Sequence, residues 1–145
     1  MITKLRRIYL AGFLDGDGSI YVRLKPNSTY RYGFQVEPYI VLFQSAQNRK
    51  NFEKLCSNIP FGKMRERKDG ILEFTINKIA DIKEFIKYVG PFVILKRDQM
   101  DLMQKILDKK FAVESKKDFS QLMALVDQFR NLNYSKKRKY RTLTP

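Results

Sequence analysis

The sequence contains no histidine and only one cysteine among its 145 residues. Without histidine, the chain offers no imidazole general base, no Ser-His or Cys-His nucleophile pair and no histidine ligand for a metal. The one cysteine, Cys56, forms neither an intrachain disulfide nor a zinc cluster. Because its neighbours along the chain include Phe52, Leu55 and Ile59, we expect a reduced cysteine in the core.

Negative charge and long apolar runs are also scarce. The 29 Lys and Arg residues outnumber the 15 Asp and Glu residues, which gives a formal net charge of +14. This balance indicates a polyanionic partner, and it favours nucleic acid over a membrane surface. No apolar stretch approaches the roughly 18 residues of a membrane span, and the N-terminus has no secretory pattern. We therefore expect a soluble, intracellular protein without a membrane partner.

The pattern of apolar residues predicts one domain of the α+β class. Helices are predicted at residues 5–15, 47–58, 79–89, 96–109 and 116–132, and strands at 19–25 and 34–44. A second hairpin is predicted within residues 62–76, with its turn at Lys68-Asp69-Gly70. Helices and hairpins in this order predict one sheet of four antiparallel strands, covered on one face by helices.

The other face of the predicted sheet carries long polar side chains. In the first strand Tyr21, Arg23 and Lys25 alternate with apolar residues. The remaining strands add a further set of residues to this side: Gln35, Glu37, Tyr39, Val41, Arg65, Arg67, Glu73 and Thr75. An ordinary solvated face explains this pattern. A two-stranded ribbon that contacts base edges in the DNA major groove explains it equally well.

The stretch YLAGFLDGDGSI places Asp15 and Asp17 at the C-terminal end of the first helix, where the helix dipole disfavours anions. An EF-hand loop is excluded, because its sixth and twelfth positions would be Ile20 and Pro26. The glycines could simply end the helix, with Gly16 or Gly18 in the left-handed conformation. Alternatively, the acids bind Mg²⁺ together with phosphate oxygens, at a seam where small residues let a second helix approach.

Three segments resemble the LAGLIDADG homing endonucleases, and the single motif resembles the homodimeric, group I intron-encoded members. YLAGFLDGDGS resembles the family's signature helix, PFVILKRDQ its basic segment after the third helix, and LNYSKKRKYRT its DNA-contacting tail. The resemblance implies an αββαββα core with a saddle-shaped sheet and extra C-terminal helices. It also implies that residues 1–145 form a single endonuclease domain, whose residues 132–145 are a basic DNA-contacting tail.

The resemblance also assigns roles to individual residues. Asp17 would be the essential metal-binding acid, and Gly16 would offer its carbonyl to the metal. Gln44 would position the attacking water, and Lys96 would lie near the scissile phosphate. Asp15 is expected to support the helix end by hydrogen bonding to backbone or to the neighbouring chain. The implied dimer interface comprises Leu10, Ala11, Gly12, Phe13, Asp15 and Gly16. The implied DNA-binding residues are Tyr21, Arg23, Lys25, Asn27, Gln35, Glu37, Tyr39, Arg65, Arg67, Glu73, Thr75, Ser135, Lys136, Lys137 and Lys139.

The function that follows from the resemblance is metal-dependent hydrolysis of double-stranded DNA. A homodimer would cut both strands of a long, pseudo-palindromic site and leave short 3′ overhangs. Mg²⁺ is the implied cofactor, and Mn²⁺ or Ca²⁺ could replace it for binding. An intron-encoded member would act in an organelle, either chloroplast or mitochondrion. Two alternatives on the same fold lack this chemistry: an RNA maturase and a non-cleaving DNA-binding protein. A ribosomal-type RNA binder explains the charge but leaves Asp15 and Asp17 without a role.

Overall fold

A computed structural model describes residues 2–133 and shows helices and strands in the predicted order. In chain order the elements are α1 Lys4–Asp17, β1 Gly18–Pro26, β2 Phe34–Ser45, α2 Arg49–Cys56, β3 Lys63–Glu66, β4 Ile71–Ile76, α3 Ile79–Val89, α4 Arg97–Phe111 and α5 Lys116–Leu132. The predicted α+β class is therefore confirmed. The predicted tail residues Ser135, Lys136, Lys137 and Lys139 lie outside the described part of the chain.

The four strands form one antiparallel sheet in the order β1-β2-β4-β3. Each hairpin pairs its own two strands, and the hairpins join through β2 and β4, where Ile40 lies opposite Ile76. Pro38 has no backbone N–H to donate, but it does not change the register of β2, since it lies opposite Val22 in an unbroken ladder. It precedes the part of β2 that pairs with β4, so the missing N–H lies where β2 has a strand on one side only.

Both hairpin loops depend on a glycine with positive φ. In the first loop Gly33 has φ +82°, and the Asn27 side chain accepts a hydrogen bond from the Thr29 N–H at 3.0 Å. In the second, Gly70 has φ +82° and its N–H donates to the Arg67 carbonyl. The predicted turn at Lys68-Asp69-Gly70 is thus confirmed, because this loop requires a residue that tolerates the left-handed region.

The core lies between the helices and one face of the sheet. The strand residues on this face pack with apolar residues of all five helices. The buried strand residues are Ile20, Leu24, Val36, Ile40, Leu42, Leu72, Phe74 and Ile76. Cys56 belongs to the same cluster as a free thiol, as predicted, and burial raises its pKa to about 12. Val41, grouped with the polar side by alternation, is also buried, since it lies between Ser19 and Thr75 in the centre of the sheet.

Element boundaries differ from the sequence prediction mainly at the second helix. Residues Ala46–Asn48 form a separate 3₁₀ turn before α2, and the Ser45 hydroxyl accepts a hydrogen bond from the Gln47 N–H at 3.2 Å. The predicted single helix at 47–58 is wrong in this respect, because a side-chain cap at Ser45 fixes the turn first. Between residues 2 and 133, no helix has the length and apolar character needed to cross a membrane.

Candidate active site and nucleic-acid face

The end of α1 presents Asp17 to solvent. Asp17 is the last residue of the helix, and both it and Gly16 are exposed. The chain continues directly into β1, since Gly18 caps α1 by donating its N–H to the Leu14 carbonyl. A carboxylate in this position is available to a ligand from outside the chain.

The glycines here are not left-handed caps. Gly18 has φ −119° and ψ 175°, and the positive-φ glycines of the described chain are Gly33, Gly62 and Gly70. The hypothesis that Gly16 or Gly18 ends the helix in the left-handed conformation is therefore wrong. Glycine is required at position 18 for a steric reason, because a Cβ there would lie 2.5 Å from Leu14 Cδ1 and 2.8 Å from the Leu14 carbonyl oxygen.

Asp15 binds backbone of its own chain. Its carboxylate accepts hydrogen bonds from the N–H groups of Ile94 at 2.8 Å, Leu95 at 3.0 Å and Lys96 at 3.0 Å. These three donors immediately precede α4, so the acid lies at the positive end of that helix. The expectation that Asp15 supports the helix end through backbone is met within one chain.

These contacts set the ionisation of Asp15. Partial burial alone would raise the pKa of this carboxyl, but the three backbone donors and the Lys96 ammonium outweigh burial and hold it below its ordinary value of 3.8. Asp15 is consequently an anion at neutral pH with its lone pairs largely engaged. Asp17 lies two residues further along α1 and is exposed.

Lys96 reaches the same end of α1. Its ammonium group donates to the carbonyl oxygen of Asp15 at 2.7 Å, which brings a cation to the residue two before Asp17. The structure therefore places Lys96 beside Asp15 although 81 residues separate the two in sequence. This proximity is the arrangement that the proposed role near a phosphate requires.

Gln44 lies near this end through the sheet register. Gly18 is opposite Leu42, and Gln44 follows two residues further along β2 on the same face. Its Oε1 accepts a hydrogen bond from the Ser45 N–H at 2.9 Å, which leaves its amide N–H groups as donors. The sheet register thus brings the end of β2 towards the end of α1, and the Asp15 hydrogen bonds bring the start of α4 to the same end.

A metal ion would need more than this chain provides. Within residues 2–133, no three His, Cys, Asp or Glu side chains form a cluster that could hold an ion. Mg²⁺, however, is usually held by one or two carboxylates, with phosphate and water oxygens completing its shell. The exposed Asp17 fits such a site if the other ligands come from a phosphate and a second copy of the chain.

The flank of α1 carries an exposed apolar strip that sequence analysis did not single out. Leu5 is 79% exposed and Tyr9 63% exposed, and Ile8 lies beside them. They share a helix face with Gly12, because positions 5, 8, 9, 12 and 16 follow helical spacing. We call Leu5, Ile8, Tyr9, Gly12 and Gly16 the α1 strip; its spacing was readable from the sequence.

The structure corrects part of the predicted dimer interface. Leu10 and Ala11 are 1% and 0% exposed, so their side chains belong to the core of their own chain and are not available to a second one. Phe13 is half-buried and contacts the Phe52 ring. Gly12 and Gly16 are different, since an added Cβ at either would meet no atom within 4 Å.

The polar face of the sheet brings the predicted DNA-binding residues into cross-strand pairs. Tyr21 lies opposite Tyr39, Arg23 opposite Glu37 and Lys25 opposite Gln35 on the first hairpin. On the second hairpin Arg65 lies opposite Glu73, and its guanidinium is 3.2 Å from the Glu73 carboxylate. The arginines of this face are therefore held by acids on the neighbouring strand.

Arg67 and Asn27 lie at hairpin ends rather than within strands. Strand β3 ends at Glu66, so the prediction that Arg67 lies within a strand is wrong. Its guanidinium contacts Asp69 at 2.6 Å and Glu73 at 3.6 Å. The Asn27 side chain is engaged in its own loop. Thr75 lies on β4 opposite Lys63, with Val41 on its other side.

The C-terminal end of the described chain is fixed next to β1. Asn133 donates from Nδ2 to the Ile20 carbonyl at 2.9 Å, and Gln99 donates from Nε2 to the Leu132 carbonyl at 3.1 Å. Gln99 is a buried polar residue, and this bond satisfies its amide. The segment predicted to contact DNA therefore begins beside an edge strand of the polar-faced sheet.

Residues 10–92 match the LAGLIDADG endonuclease family. The chain is 36% identical over 143 residues to the DNA endonuclease I-CreI of Chlamydomonas reinhardtii, covering 96% of this chain and 87% of that protein. It is 30% identical over 138 residues to the DNA endonuclease I-CvuI of Chlorella vulgaris, covering 93% and 84%. The crystal structure of I-CvuI with the I-CreI target and magnesium, in which the DNA is not cleaved, has a TM-score of 0.85 at 25% identity over 97% of this chain and 88% of that one.

Proposed function

This chain belongs to the LAGLIDADG family of site-specific DNA endonucleases, and we propose that two copies of it form a homing endonuclease that hydrolyses both strands of a long, pseudo-palindromic DNA site. The observation that carries the proposal is the exposed Asp17 at the end of the α1 strip. One chain supplies one available acid there, so a second chain docked along the strip would complete the site. I-CvuI has been crystallised with DNA in the presence of magnesium or calcium, which supports a divalent cofactor.

The proposed roles follow from the positions of the side chains. Asp17 holds the cofactor, with the Gly16 carbonyl beside it; Mg²⁺ is the ion we propose, with Mn²⁺ or Ca²⁺ able to support binding. When bound, a divalent ion supplies Lewis-acid activation of the phosphate and of the attacking water. Lys96 stabilises negative charge that develops on the phosphate, and the Gln44 amide orients the water. Asp15 keeps Lys96 in place.

The DNA would lie against the polar face of the sheet. Two copies double the net charge of +14 to +28, since 2 × 14 = 28, and this charge favours association with a duplex. Tyr21, Arg23, Arg65 and the residues paired with them face the base edges, and the segment after Asn133 would contact phosphates. We place this activity in an organelle, in keeping with relatives from algae.

A cleavage selection tests the proposed function directly. The full chain is incubated with a library of randomised duplexes and Mg²⁺, in parallel with a sample that contains a chelator. We expect a single family of cleaved sites with pseudo-two-fold symmetry and short 3′ overhangs, only in the sample with Mg²⁺. Binding of nucleic acid without cleavage in either sample would instead indicate a maturase or a non-cleaving DNA-binding protein.

A bulky residue at Gly12 should dissociate the proposed dimer without harming the fold. Each monomer has open space at this position, and leucine is the better helix former, so the free energy of unfolding of the separated monomer should be unchanged or higher. Between two helices the same side chain overpacks the seam at a cost of roughly 1–3 kcal/mol, and about 1.4 kcal/mol weakens the dimer tenfold. Sedimentation over a concentration series measures the change for Gly12→Leu.

Ala124→Leu is the matched control, because Ala124 is exposed on α5 and the variant carries the same leucine side chain on an exposed helix surface. It should sediment and cleave like the wild type. A Gly12→Leu protein that remains a dimer of wild-type strength would contradict the proposed seam.

A further inference from the structure

Four side chains on the first hairpin contact one another through hydrogen bonds and one ring stack, and we call them the Arg23 cluster: Tyr21, Arg23, Glu37 and Tyr39. Arg23 donates to Glu37 Oε2 from Nε at 3.0 Å and from Nη2 at 2.6 Å. The Tyr39 hydroxyl donates to the same oxygen at 2.9 Å. The two tyrosine rings stack with centroids 4.9 Å apart and an interplanar angle of 13°. The Arg23 guanidinium lies 5.6 Å from the centre of the Tyr39 ring.

Glu37 is the centre of this cluster. Its side chain is 17% exposed, against 56% for Arg23, so it lies beneath the guanidinium that it binds. Burial alone would raise the pKa of Glu37, but the hydrogen bonds from Arg23 and Tyr39 lower it, so the carboxylate is ionised at neutral pH. All three bonds end on Oε2, and Oε1 accepts none within the described residues.

The cluster restrains a long cationic side chain on the face that contacts DNA. An unrestrained arginine can reach many phosphates, and a phosphate contact adds affinity for every sequence alike. An arginine held through Nε and Nη2 keeps a fixed plane, and its remaining N–H groups can bind a base edge only where acceptors match that plane. Guanine O6 and N7 are such acceptors in the major groove.

The acid itself adds a second effect. An ionised carboxylate facing a duplex repels phosphates and base acceptors, and it is favourable only next to an amino donor such as cytosine N4. Exposed Arg–Glu pairs contribute little to stability, so stability is a weak reason for an acid in this place. Arg49 also binds two glutamates, Glu53 and Glu66. Glu53 lies on α2, which packs against the opposite side of the sheet, so this acid is away from the polar face.

We infer that Glu37 is a specificity-determining residue that holds Arg23 for contact with one guanine–cytosine pair in each half-site and lowers affinity for DNA without that pair. The inference rests on the proposed function, because it requires the polar face to contact DNA. Arg23 is the residue that touches the base, and Glu37 acts mainly by positioning it.

The test is a binding selection with the isosteric variant Glu37→Gln. Wild-type and variant proteins are equilibrated with a randomised duplex library in the presence of a chelator, so that metal-dependent cleavage does not occur. For the variant we expect discrimination at one position per half-site to fall at least about fivefold, the lower end for a bidentate contact. Affinity for the unselected library should rise, and the slope of log K against log salt should steepen by up to about 0.9, because Arg23 becomes free to bind a phosphate.

Two further variants separate positioning from charge. Glu53→Gln removes the same negative charge away from the polar face, and it should leave the base preference unchanged. In an Arg23→Ala background, adding Glu37→Gln should change the base preference much less than it does when Arg23 is present, since no guanidinium remains to be positioned and only the direct effect of the carboxylate is lost. Thermal unfolding of each variant checks that the fold is retained.

The outcomes distinguish the inference from the function beneath it. If the wild type selects a site and Glu37→Gln selects the same site with equal discrimination, the inference is wrong and the proposed function stands. If the wild type enriches no sequence at all, site-specific binding itself is wrong.

Discussion

Replacing Asp17 with asparagine is expected to abolish DNA cleavage while binding to the target stays equal or becomes tighter. Asp17 is exposed at the end of α1 and is the proposed metal ligand of each chain. Asparagine keeps the size of the side chain but removes the charge that a divalent ion requires. Mutation of a residue that only supports a metal ligand typically lowers activity about 10–100-fold, so mutation of the ligand itself should lower it by more. We expect less than about one-thousandth of the wild-type rate.

Binding should move in the opposite direction. In the proposed complex without a metal, the Asp17 carboxylate would face phosphates and repel them, so its neutralisation should favour the complex. Cleavage rates are measured on the selected target with Mg²⁺, and Kd is measured on the same duplex with a chelator. Asp108→Asn serves as the control, because Asp108 is exposed near the C-terminal end of α4 while the N-terminal end of that helix faces α1. Magnesium-dependent cleavage by Asp17→Asn at a rate near that of Asp108→Asn would show that Asp17 is not the essential metal ligand.

Local sequence patterns were sufficient to predict the elements of this fold. The strands alternate because every second residue meets the helices, and Gly70 fixes the second turn because its φ is positive. The pairing of β2 with β4 was beyond this kind of inference. Alternation fixes which side chains share a face, but it carries no information on which strand of one hairpin lies beside the other.

The candidate site shows the same division. Asp17 and the polar face were predicted from the motif and the strand period. The partners of Asp15 were not, since they are main-chain N–H groups at positions 94–96 that no side-chain pattern encodes. Leu10 and Ala11 were assigned to the dimer interface by the family resemblance, which does not say which side chains of α1 this chain buries in its own core. When the sheet forms, it covers the face of α1 that carries Leu10 and Ala11, and the α1 strip stays exposed on the helix.

The second large effect is expected at Asp15, where an asparagine should weaken both the fold and the activity. Oδ2 accepts the N–H groups of Ile94 and Leu95, and Oδ1 accepts that of Lys96. Asparagine must turn its NH₂ group towards at least one of these donors, so at least one of the three N–H groups loses its acceptor. Hydrogen bonds to a charged group contribute about 1.5–3 kcal/mol each, and we expect the free energy of unfolding to fall by about 2 kcal/mol.

The effect on stability should depend on pH in a defined direction. The native contacts lower the pKa of Asp15, so the folded state favours the ionised form more than the unfolded state does. The stability that this charge contributes is complete above the unfolded value near 3.8 and is lost as pH falls through the lower folded value. Urea unfolding of the wild type and Asp15→Asn should therefore differ most above about pH 5, and the difference should shrink below pH 4.

The loss of activity has a separate cause. Asp15 fixes the turn that carries Lys96, and a displacement of about 1 Å in a reacting group can reduce a rate roughly a hundredfold. We expect Asp15→Asn to lower the cleavage rate by about that factor at a temperature where it remains folded, with target binding little changed. Asp118→Asn is the matched control: Asp118 also accepts a backbone N–H, from Glu114, and its pKa is likewise lowered, but it lies at the start of α5. If Asp15→Asn cleaves like Asp118→Asn while losing stability, Asp15 supports the fold alone and Lys96 does not depend on it.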